Sequence, residues 1–423
     1  MSVLLGNPNN FNRIASKLSQ GWVGVLSQKL RRAPSKLING LWAIPAVIIM
    51  RVLRPFVLVR VGSLNSARIG HFVADGAEHL ARIQQQPTNT VDWFWLGKTS
   101  NSQWERMIRR TLPVHSWAWY LYWWNMVIPG GSAHTRPNSY TLSRDVEGLY
   151  ARYDVQIPFL PSESEEALTW LRNKGWSDGE PFVCLLVRDA EFLANDPMYG
   201  TVRQRANLDW SYHNYRDSDI ETYLPAVKWL AEQGVWVIRM GKLMAKRIPD
   251  GMDHVIDYAF DAGKSDLLDI WLFANCDGCI STATGPDAIS AAYGKPLLFV
   301  NALPLGISTS WSRSIWVPKT LRWAETGQIL SVREHLLNSW LTTNEYDRAG
   351  IVIENLSSDE IRSAVQEFWR RYSGSWDEAR EDQQKQDDYR NMFLDWPEFS
   401  RFNGWLHPEA RVGTAWLRST PLS

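Results

Sequence analysis

Cysteine is scarce in this sequence. The chain of 423 residues has only three cysteines, Cys184, Cys276 and Cys279. Three cysteines are too few for the disulfide framework of small secreted domains, so we expect a reducing, cytoplasmic compartment. Cys276 and Cys279 have the C-x-x-C spacing, but no second pair completes a zinc site. We therefore interpret them as part of a turn between a helix and a strand.

Acidic residues are absent from the first part of the chain. The first one is Asp75, although the whole chain has 45 acidic and 45 basic residues. The basic residues that precede it are Arg13, Lys17, Lys29, Arg31, Arg32, Lys36, Arg51, Arg54, Arg60 and Arg68. A basic amino-terminal arm is thus joined to an acidic body, which argues against a nucleic-acid-binding protein that is basic throughout.

Long apolar runs are also missing. The run at 37–50 is shorter than the roughly 20 residues of a membrane-spanning helix, and Asn39, Gly40 and Pro45 interrupt it. Two interpretations of the arm, residues 1–50, stay open. It is either a basic amphipathic helix on an anionic membrane surface, such as the inner face of the cytoplasmic membrane, or a helical arm packed on the protein body.

Tryptophan, by contrast, is abundant. The 24 tryptophans include a cluster at Trp93, Trp95, Trp104, Trp117, Trp119, Trp123 and Trp124. The indole ring is apolar with one polar N–H, so it serves hydrophobic cores, membrane interfaces and sugar-stacking sites alike. A role in the core is the default interpretation.

The order of apolar runs predicts an α/β fold with two Rossmann-like domains. Short β-rich runs alternate with helical segments, which is typical of parallel sheets with crossover helices. The predicted strands are 55–61, 90–96, 182–187, 235–240, 255–258, 278–280 and 296–301, the last of which closes the second sheet.

The same pattern divides the chain into segments. We expect an amino-terminal domain at 51–175 and a second domain at 176–325, with the boundary near a polar turn that follows Gly175. A helical and aromatic segment, 326–423, should then pack across the junction. Within it, residues 377–388 form a polar run that we expect to be solvated.

The stretch 280–301 is the most distinctive part of the chain. It reads as a strand end, a hydroxyl-rich turn, one helix and a second strand. Ser281, Thr282, Thr284 and Gly285 would direct hydroxyls and free backbone N–H groups at one point, which suits a phosphate. An ordinary strand–turn–helix connection with Ser and Thr caps explains the same residues and stays open.

Cationic residues follow other predicted strands. The candidates are Arg188, Arg216, Arg239 and Lys242, with Gly241 beside the last two. The carboxyl ends of parallel strands meet at one edge of a sheet, where open α/β sheets bind their ligands. Because guanidinium groups match phosphate oxygens, a diphosphate-bearing ligand is the economical interpretation.

The first predicted strand is followed by polar candidates of another kind. Arg68, His71 and Asp75 lie in a segment that we predict to be a loop leading into a helix near residue 76. Each has an ordinary explanation: His71 can hydrogen-bond at a helix start, and Arg68 can be a solvated surface charge.

Six motifs in a fixed order resemble a known family. They are 68–71, 187–189, 215–223, 234–241, 264–269 and 281–301. Together they resemble bacterial glycosyltransferases of the GT-B architecture that are found with capsule and lipopolysaccharide sugar assembly genes. The resemblance covers residues 55–320. One departure is Thr282-Ala283-Thr284-Gly285, where many relatives have Ser-Ser-Gly.

The resemblance implies a fold and a division of labour. Two Rossmann-like domains would face each other across a cleft, the first binding the acceptor and the second binding a nucleotide-sugar donor. It implies no metal and no cofactor beyond the nucleotide-sugar co-substrate. Asp269, in the motif 264–269, joins the donor-binding candidates on this basis.

Asp217 and Asp219 suggest a rival assignment, the metal-binding D-x-D motif of GT-A transferases. That motif should follow an apolar strand, whereas here it follows Tyr-His-Asn-Tyr-Arg and opens a helix. A helix cap is the better interpretation.

The working hypothesis is transfer of a sugar from a nucleotide sugar to a hydroxyl of a bacterial surface glycan or glycolipid. His71 would be the general base, with Asp75 as its orienting partner or its substitute and Arg68 beside them; inversion follows if one base suffices. Two alternatives stay open. One is a nucleotide-sugar epimerase or hydrolase, and the other is a noncatalytic glycan-binding subunit that uses the tryptophans.

Overall fold

The computed structural model describes residues 40–189, 191 and 215–423. Most of the predicted basic arm, residues 1–39, therefore lies outside the described residues. Its last part forms a helix, Ala43–Val52. Among the described residues, every helix is too short or too polar to cross a lipid bilayer.

The amino-terminal lobe is built on a parallel sheet of three strands in the order β2-β1-β3. Its elements are α1 (Ala43–Val52), β1 (Leu58–Leu64), α2 (Ile69–Gln85), β2 (Thr90–Leu96), α3 (Ser102–Thr111), α4 (Ala118–Val127) and β3 (Thr135–Arg136). The strand predicted at 90–96 is confirmed to the residue. The strand predicted at 55–61 begins at Leu58 and continues past Gly62 to Leu64.

The two faces of this sheet are covered differently. Val61 and Trp93 are register partners, and both pack into a cluster with α1 and α4. Phe94, the next residue of β2, belongs instead to the main core with Phe72 of α2. Because side chains alternate along a strand, α1 and α4 cover one face and α2 covers the other.

The carboxy-terminal lobe contains a parallel sheet of seven strands in the order β12-β9-β8-β7-β4-β5-β6. Its first elements are α5 (Pro161–Asn173), β4 (Phe182–Leu186), α6 (Leu224–Glu232), β5 (Trp236–Arg239), β6 (Val255–Ile256), α7 (Asp266–Asn275), β7 (Gly278–Ser281), α8 (Asp287–Ala292) and β8 (Leu297–Val300). The later elements are β9 (Ser314–Val317), β10 (Thr320–Trp323), α9 (Val332–Leu337), α10 (Thr343–Arg348), β11 (Ile351–Glu354), α11 (Ser358–Tyr372), α12 (Arg380–Leu394), α13 (Phe399–Phe402), β12 (Arg411–Val412) and α14 (Thr414–Ser419). The predicted α/β class with two parallel sheets is thus confirmed.

The sequence suggested that the second sheet ends at β8, but it continues beyond this strand. β9 pairs with β8, and β12 pairs with β9. β12 has only two residues, so its apolar period is too short to recognise. The consequence is a further loop, after β9, at the same edge of the sheet as the predicted site.

Most of the polar run 377–388 faces solvent, as expected, and from residue 380 it forms part of a helix. Its Asp382 and Gln386 are buried, and Asp382 accepts a hydrogen bond of 2.6 Å from Arg418. Gln386 accepts the Val412 N–H at 3.3 Å. Polar side chains are tolerated inside here because each one satisfies a neighbouring backbone or charged group.

The three cysteines are free and buried. Cys184 on β4 is the register partner of Cys279 on β7, and Cys276 follows the end of α7. All three belong to the main hydrophobic core, as expected of a helix-to-strand turn.

The two lobes touch along a line that we call the seam, where the start of α2 meets the turn before α8. A Cβ atom on Gly70 would lie 2.8 Å from the Gly285 Cα. Elsewhere the lobes are joined by Asn101, whose amide donates to the Asp266 carbonyl at 2.9 Å. Arg144 donates to the Phe402 carbonyl at 3.0 Å.

Candidate active site at the seam

The turn after β7 is closed by a carboxylate that sequence reasoning missed. The Ser281 hydroxyl and the Thr284 N–H both donate to Asp287 Oδ2, at 2.7 Å each. Burial raises the pKa of Asp287 to about 6, against the effect of these hydrogen bonds. The amino end of α8, which we expected to bind a phosphate, is therefore filled by the helix's own first residue. An aspartate directly after Pro286 was the available signal.

Two other groups of the turn are engaged as well. Thr282 is buried, and its Oγ1 accepts the Arg188 N–H at 3.0 Å. The Arg188 guanidinium donates through Nε to Asp217 Oδ1 at 3.0 Å. Parallel pairing of β4 with β7 causes this convergence, since Leu186 is the register partner of Ser281. The expectation that Arg188 lies beside this turn agrees with the geometry.

Arg216 also reaches the turn. It is half-buried, and its guanidinium donates to the carbonyl of Ala283, a residue in the left-handed region with φ of 58°. Burial lowers the pKa of Arg216, and the neighbouring charge of Arg188 lowers it further. Asp217 and Asp287 act in the opposite direction. Two cations and two carboxylates therefore surround the turn.

Lys319 is a third cation of this group, and sequence reasoning missed it. Only 2% of it is exposed, and its Nζ donates to the Asp217 carbonyl at 2.7 Å. Burial, together with the charge of Arg188, lowers its pKa to about 8. Lys319 follows β9, so ending the sheet at β8 hid it. We call Arg188, Arg216 and Lys319 the cation cluster.

Some donors at the turn have no partner. The Thr284 Oγ1 is buried without a hydrogen bond among the described residues. Within the same described part of the chain, no backbone acceptor pairs with the N–H of Ala283 or Gly285. The cation cluster places three positive charges beside these donors. An anion would satisfy the unpaired donors.

Four predicted donor-binding residues lie away from the turn. Arg239 is buried, and it donates to Asp257 Oδ1 at 3.1 Å and to the Lys246 carbonyl at 3.0 Å. Its strand, β5, is separated from β7 by β4. The Arg239 guanidinium is thus paired inside the lobe. It does not lie beside Arg188, Arg216 and the turn after β7.

Gly241, Lys242 and Asp269 are likewise used locally. The Lys264 ammonium donates to the carbonyls of Gly241 and Lys242, at 3.3 and 2.8 Å. Asp269 accepts the Tyr258 hydroxyl at 2.8 Å, and burial raises its pKa. These contacts fix the loop after β5 against α7.

The catalytic candidates of the amino-terminal lobe lie on a helix rather than in a loop. α2 begins at Ile69, so His71 and Asp75 are separated by four positions and share one helix face. Sequence reasoning placed the helix start near 76 because Gly70 and the short polar segment before it resemble a loop. Asp75 is fully buried, whereas His71 is half-buried.

Ser143 connects these two side chains. Its Oγ lies 2.6 Å from His71 Nδ1 and donates to Asp75 Oδ1 at 2.8 Å. Asn65 donates to the other carboxylate oxygen, Oδ2, at 2.7 Å. Ser143 has a φ of 63° and follows Leu142 with 56°. Neither residue is a glycine, so no local signal announced this turn.

The hydrogen bonds assign the protons of this relay. A hydroxyl has one proton, and Ser143 gives it to Asp75, so its oxygen accepts from His71 Nδ1–H. The other ring nitrogen, Nε2, then carries the lone pair. Burial lowers the pKa of His71, and the charge of Arg68 adds to this effect. The imidazole is therefore neutral at neutral pH and can accept a proton.

Arg68 is exposed and precedes the first turn of α2. Its side chain does not cap the helix, and the first turn contains no acidic residue. The uncapped helix end that meets the turn of Gly285 at the seam is thus that of α2 and not that of α8. A helix of 17 residues, as α2 is, presents a positive dipole end there.

The two aspartates of the rival metal motif have other partners. Asp219 accepts the Glu221 N–H at 3.1 Å and caps a short helix, Ile220–Tyr223. Asp217 pairs with Arg188. Among the residues that the structure describes, no group of three His, Cys, Asp or Glu side chains could hold a metal ion.

A cavity of about 620 Å³ lies away from the seam. It is bordered by the residues that precede β8 and β9, at the edge of the sheet opposite the cation cluster. Its Arg371 and Arg411 both pair with Glu378. The chemistry described above is therefore not inside this cavity.

Comparison with known proteins yields no family assignment. No protein-family model matches the chain, and no curated protein matches it. A glycosyl transferase of family 9 from Veillonella parvula is 9% identical, with 62% of this chain and 86% of that chain covered and a TM-score of 0.37. The E. coli ADP-heptose LPS heptosyltransferase II is 12% identical over 57% of this chain and 84% of that chain, with a TM-score of 0.34. E. coli heptosyltransferase WaaC with ADP is 12% identical, with 57% of this chain and 87% of that chain covered and a TM-score of 0.27. At these values the similarities carry no argument, and function rests on the site.

Proposed function

We propose that this protein is a glycosyltransferase that uses a nucleotide-sugar donor and works at the seam. The observation that carries the proposal is the contact of Gly70 with Gly285. It joins a histidine relay on one lobe to a cation cluster with unpaired donors on the other. Glycosyl transfer requires both a base for the acceptor hydroxyl and positive charge for the leaving diphosphate.

The cation cluster would hold the diphosphate. Negative charge develops on this leaving group as the bond to the sugar breaks, and preorganised donors stabilise that charge. Arg188, Arg216 and Lys319 are half-buried or buried, so water screens them less than surface cations. The unpaired Thr284 hydroxyl and the free end of α2 would add neutral donors.

His71 would take the proton of the acceptor hydroxyl through Nε2. The relay through Ser143 holds the ring in the required tautomer, and Asp75 would stabilise the imidazolium as it forms. A single base favours inversion at the anomeric carbon. In this proposal the reaction needs no metal, the acceptor is a hydroxyl of a surface glycan or glycolipid, and the lobes separate at the seam to admit substrates.

Ligand-dependent stability tests the proposal. The melting temperature of the full chain would be measured with UDP, GDP, CMP, ADP and dTDP, because a ligand that binds the folded state raises it. We expect one diphosphate to raise the temperature in the wild type and Arg216→Ala to lose this shift. Arg348→Ala, a change of an exposed arginine outside the site, is the matched control.

Other outcomes point to other functions. Product formed from a nucleotide sugar without any acceptor would indicate an epimerase or a hydrolase. Glycan binding without any nucleotide-dependent shift would indicate a noncatalytic subunit. A diphosphate shift that Arg216→Ala leaves unchanged would remove the cation cluster from the binding site.

A further inference from the structure

Two helices of the amino-terminal lobe expose an apolar surface that the proposed reaction does not use. α1, α4 and the short segments before and after α1 carry large apolar side chains that face water. These exposed side chains include Trp42, Ile48, Ile49, Val52, Phe56 and Met126. Val52 and Phe56 are 70% and 78% exposed, which is nearly the exposure of an extended chain. We call this surface the apolar platform.

The platform is held as one rigid unit. Arg51 lies on α1, and its guanidinium donates to the Asn125 carbonyl at 2.9 Å and to the carbonyls of Ile128 and Pro129 at 2.8 and 2.6 Å. The charge of Arg51 thus binds the carboxyl end of α4. The Trp42 and Tyr120 rings meet edge to face with centroids 6.2 Å apart. These contacts fix α1 against α4, and the apolar side chains of the platform stay exposed in this packing.

The platform differs from ordinary surface apolar residues. Single exposed apolar side chains need no explanation, and Leu337 and Leu394 are examples on the other lobe. On the platform such residues are carried by two helices that pack on each other, neither of which contains an acidic residue. A large contiguous apolar surface marks a protein or membrane contact.

Charge identifies which of these contacts the platform fits. The chain that leads directly into α1, residues 1–42, contains six basic residues and no acidic one. Near an anionic bilayer each Lys or Arg adds electrostatic attraction. Tryptophan and tyrosine prefer the interface between headgroups and lipid tails, and α4 supplies Trp119, Trp123 and Trp124 beside Met126.

We infer that the apolar platform docks on an anionic lipid surface, with α1 and α4 lying in the plane of the interface. α1 has ten residues, which suits a helix that lies on a bilayer rather than one that crosses it. The platform covers the face of the first sheet opposite α2. Docking therefore keeps the seam, which α2 forms, on the side of the sheet away from the bilayer. This inference does not depend on the proposed reaction.

Vesicle flotation of the full chain tests the inference. We expect binding to vesicles of phosphatidylglycerol and phosphatidylcholine, less binding to pure phosphatidylcholine, and a loss on raising the salt concentration. The double variant Ile49→Glu with Val52→Glu should lower the partition coefficient at least about tenfold, because two carboxylates would enter the interface. Leu337→Glu with Leu394→Glu, at exposed positions of the other lobe, is the matched control.

Each result decides for or against the platform. Equal binding by the platform variant and the wild type would overturn the inference, provided that both melt at the same temperature. Equal losses in the platform and control variants would also overturn it. A concentration-dependent dimer in the wild type that the platform variant abolishes, without vesicle binding, would instead identify a contact between two copies of the chain.

Discussion

The two lobes differ in their sheets and in the groups that lie beside them. In the carboxy-terminal lobe the strands β4, β5, β7 and β8 are buried along their whole length, and most of their residues are apolar. The described part of the amino-terminal lobe has a sheet of three strands, with the polar side chains of Asp75, His79 and Asp92 buried on it or beside it. The larger sheet supplies a stable edge for cations. The smaller one supplies a shielded set of proton-binding groups.

Three buried polar side chains of the small lobe, Arg136, Asp92 and His79, are linked to one another. Arg136, on β3, forms an ion pair with Asp92 and donates through Nε to His79 Nδ1 at 3.0 Å. Burial, together with the nearby charge of Arg136, lowers the pKa of His79 to about 3. His79 is therefore a neutral acceptor, whereas His71 directly follows Gly70, the residue of α2 that meets Gly285 at the seam. We therefore expect proton transfer to occur on the amino-terminal lobe and anion binding on the carboxy-terminal lobe.

The largest expected effect concerns the chemistry of the small lobe. We expect His71→Ala to lower the rate of sugar transfer by about 10² to 10⁴, the usual contribution of a general base. Donor affinity should stay within about twofold, because His71 lies outside the cation cluster. Measuring kcat and donor Kd separately checks this. Equal losses in rate and affinity would assign His71 to binding.

The pH profile of the wild type gives a second readout for His71. The base works in its neutral form, and its pKa is lowered below the ordinary value of 6.5. The rate should therefore rise with pH and level off by pH 6.5. A midpoint above that value would contradict the assignment.

The next largest effect concerns the stability of the large lobe. Arg239→Ala removes a buried cation and leaves the half-buried Asp257 without it, and losing a hydrogen bond to a charged group costs about 1.5 to 3 kcal/mol. We expect a lower midpoint of guanidinium unfolding, followed through the tryptophan fluorescence. Arg348→Ala, at an exposed position, should change stability by less than about 0.5 kcal/mol. An unchanged midpoint for Arg239→Ala would show that the pair is dispensable.

A smaller effect is expected at the seam that joins the lobes. Gly70→Ala would place a methyl group 2.8 Å from the backbone of Gly285, and backbone cannot yield as a side chain does. We expect a cost of about 1 to 3 kcal/mol, as for an overpacked core. Gly76→Ala is the control on the same helix. Its Cβ would meet the end of the Ile108 side chain at 3.0 Å. If both variants were equally stable, the lobes would not be in tight contact at Gly70.

The smallest effect at neutral pH concerns His335 in the large lobe. Both of its ring nitrogens lack a partner among the described residues, and burial lowers its pKa to about 4. The unfolded chain then takes up a proton before the folded one, so stability falls as the pH drops from 6.5 towards 4. His335→Leu should be nearly neutral at pH 7.5 and should reduce the acid loss by about 3 kcal/mol. Guanidinium unfolding at pH 7.5 and at pH 4.5 measures the free energy of unfolding at each pH. If this free energy fell by the same amount in the variant and the wild type, His335 would be excluded as a cause of the acid loss.

Much of the fold could be read from local pattern. The period of apolar residues identified seven of the ten parallel strands that the structure describes, and β2 was predicted without error, because alternation along a strand depends only on neighbouring positions. Residues that follow strands, such as Arg188, were placed at the right edge for the same reason. The sheet was ended too early, because β9 was not recognised after Asn301 and β12, with two residues, is too short to show a period.

The partners of the site residues could not be read in this way. Ser143 is 72 positions from His71, and Lys319 is 102 positions from Asp217. Which cation faces the turn and which is used inside the lobe depends on strand order. Arg239, which we expected at the turn, pairs with Asp257 instead, and Lys319, for which we had no expectation, lies in the cation cluster. Chain neighbours determined the elements and their residue types. Contacts between distant segments alone decided which side chains meet at the seam, because hydrogen bonds and ion pairs act across space whatever the separation along the chain.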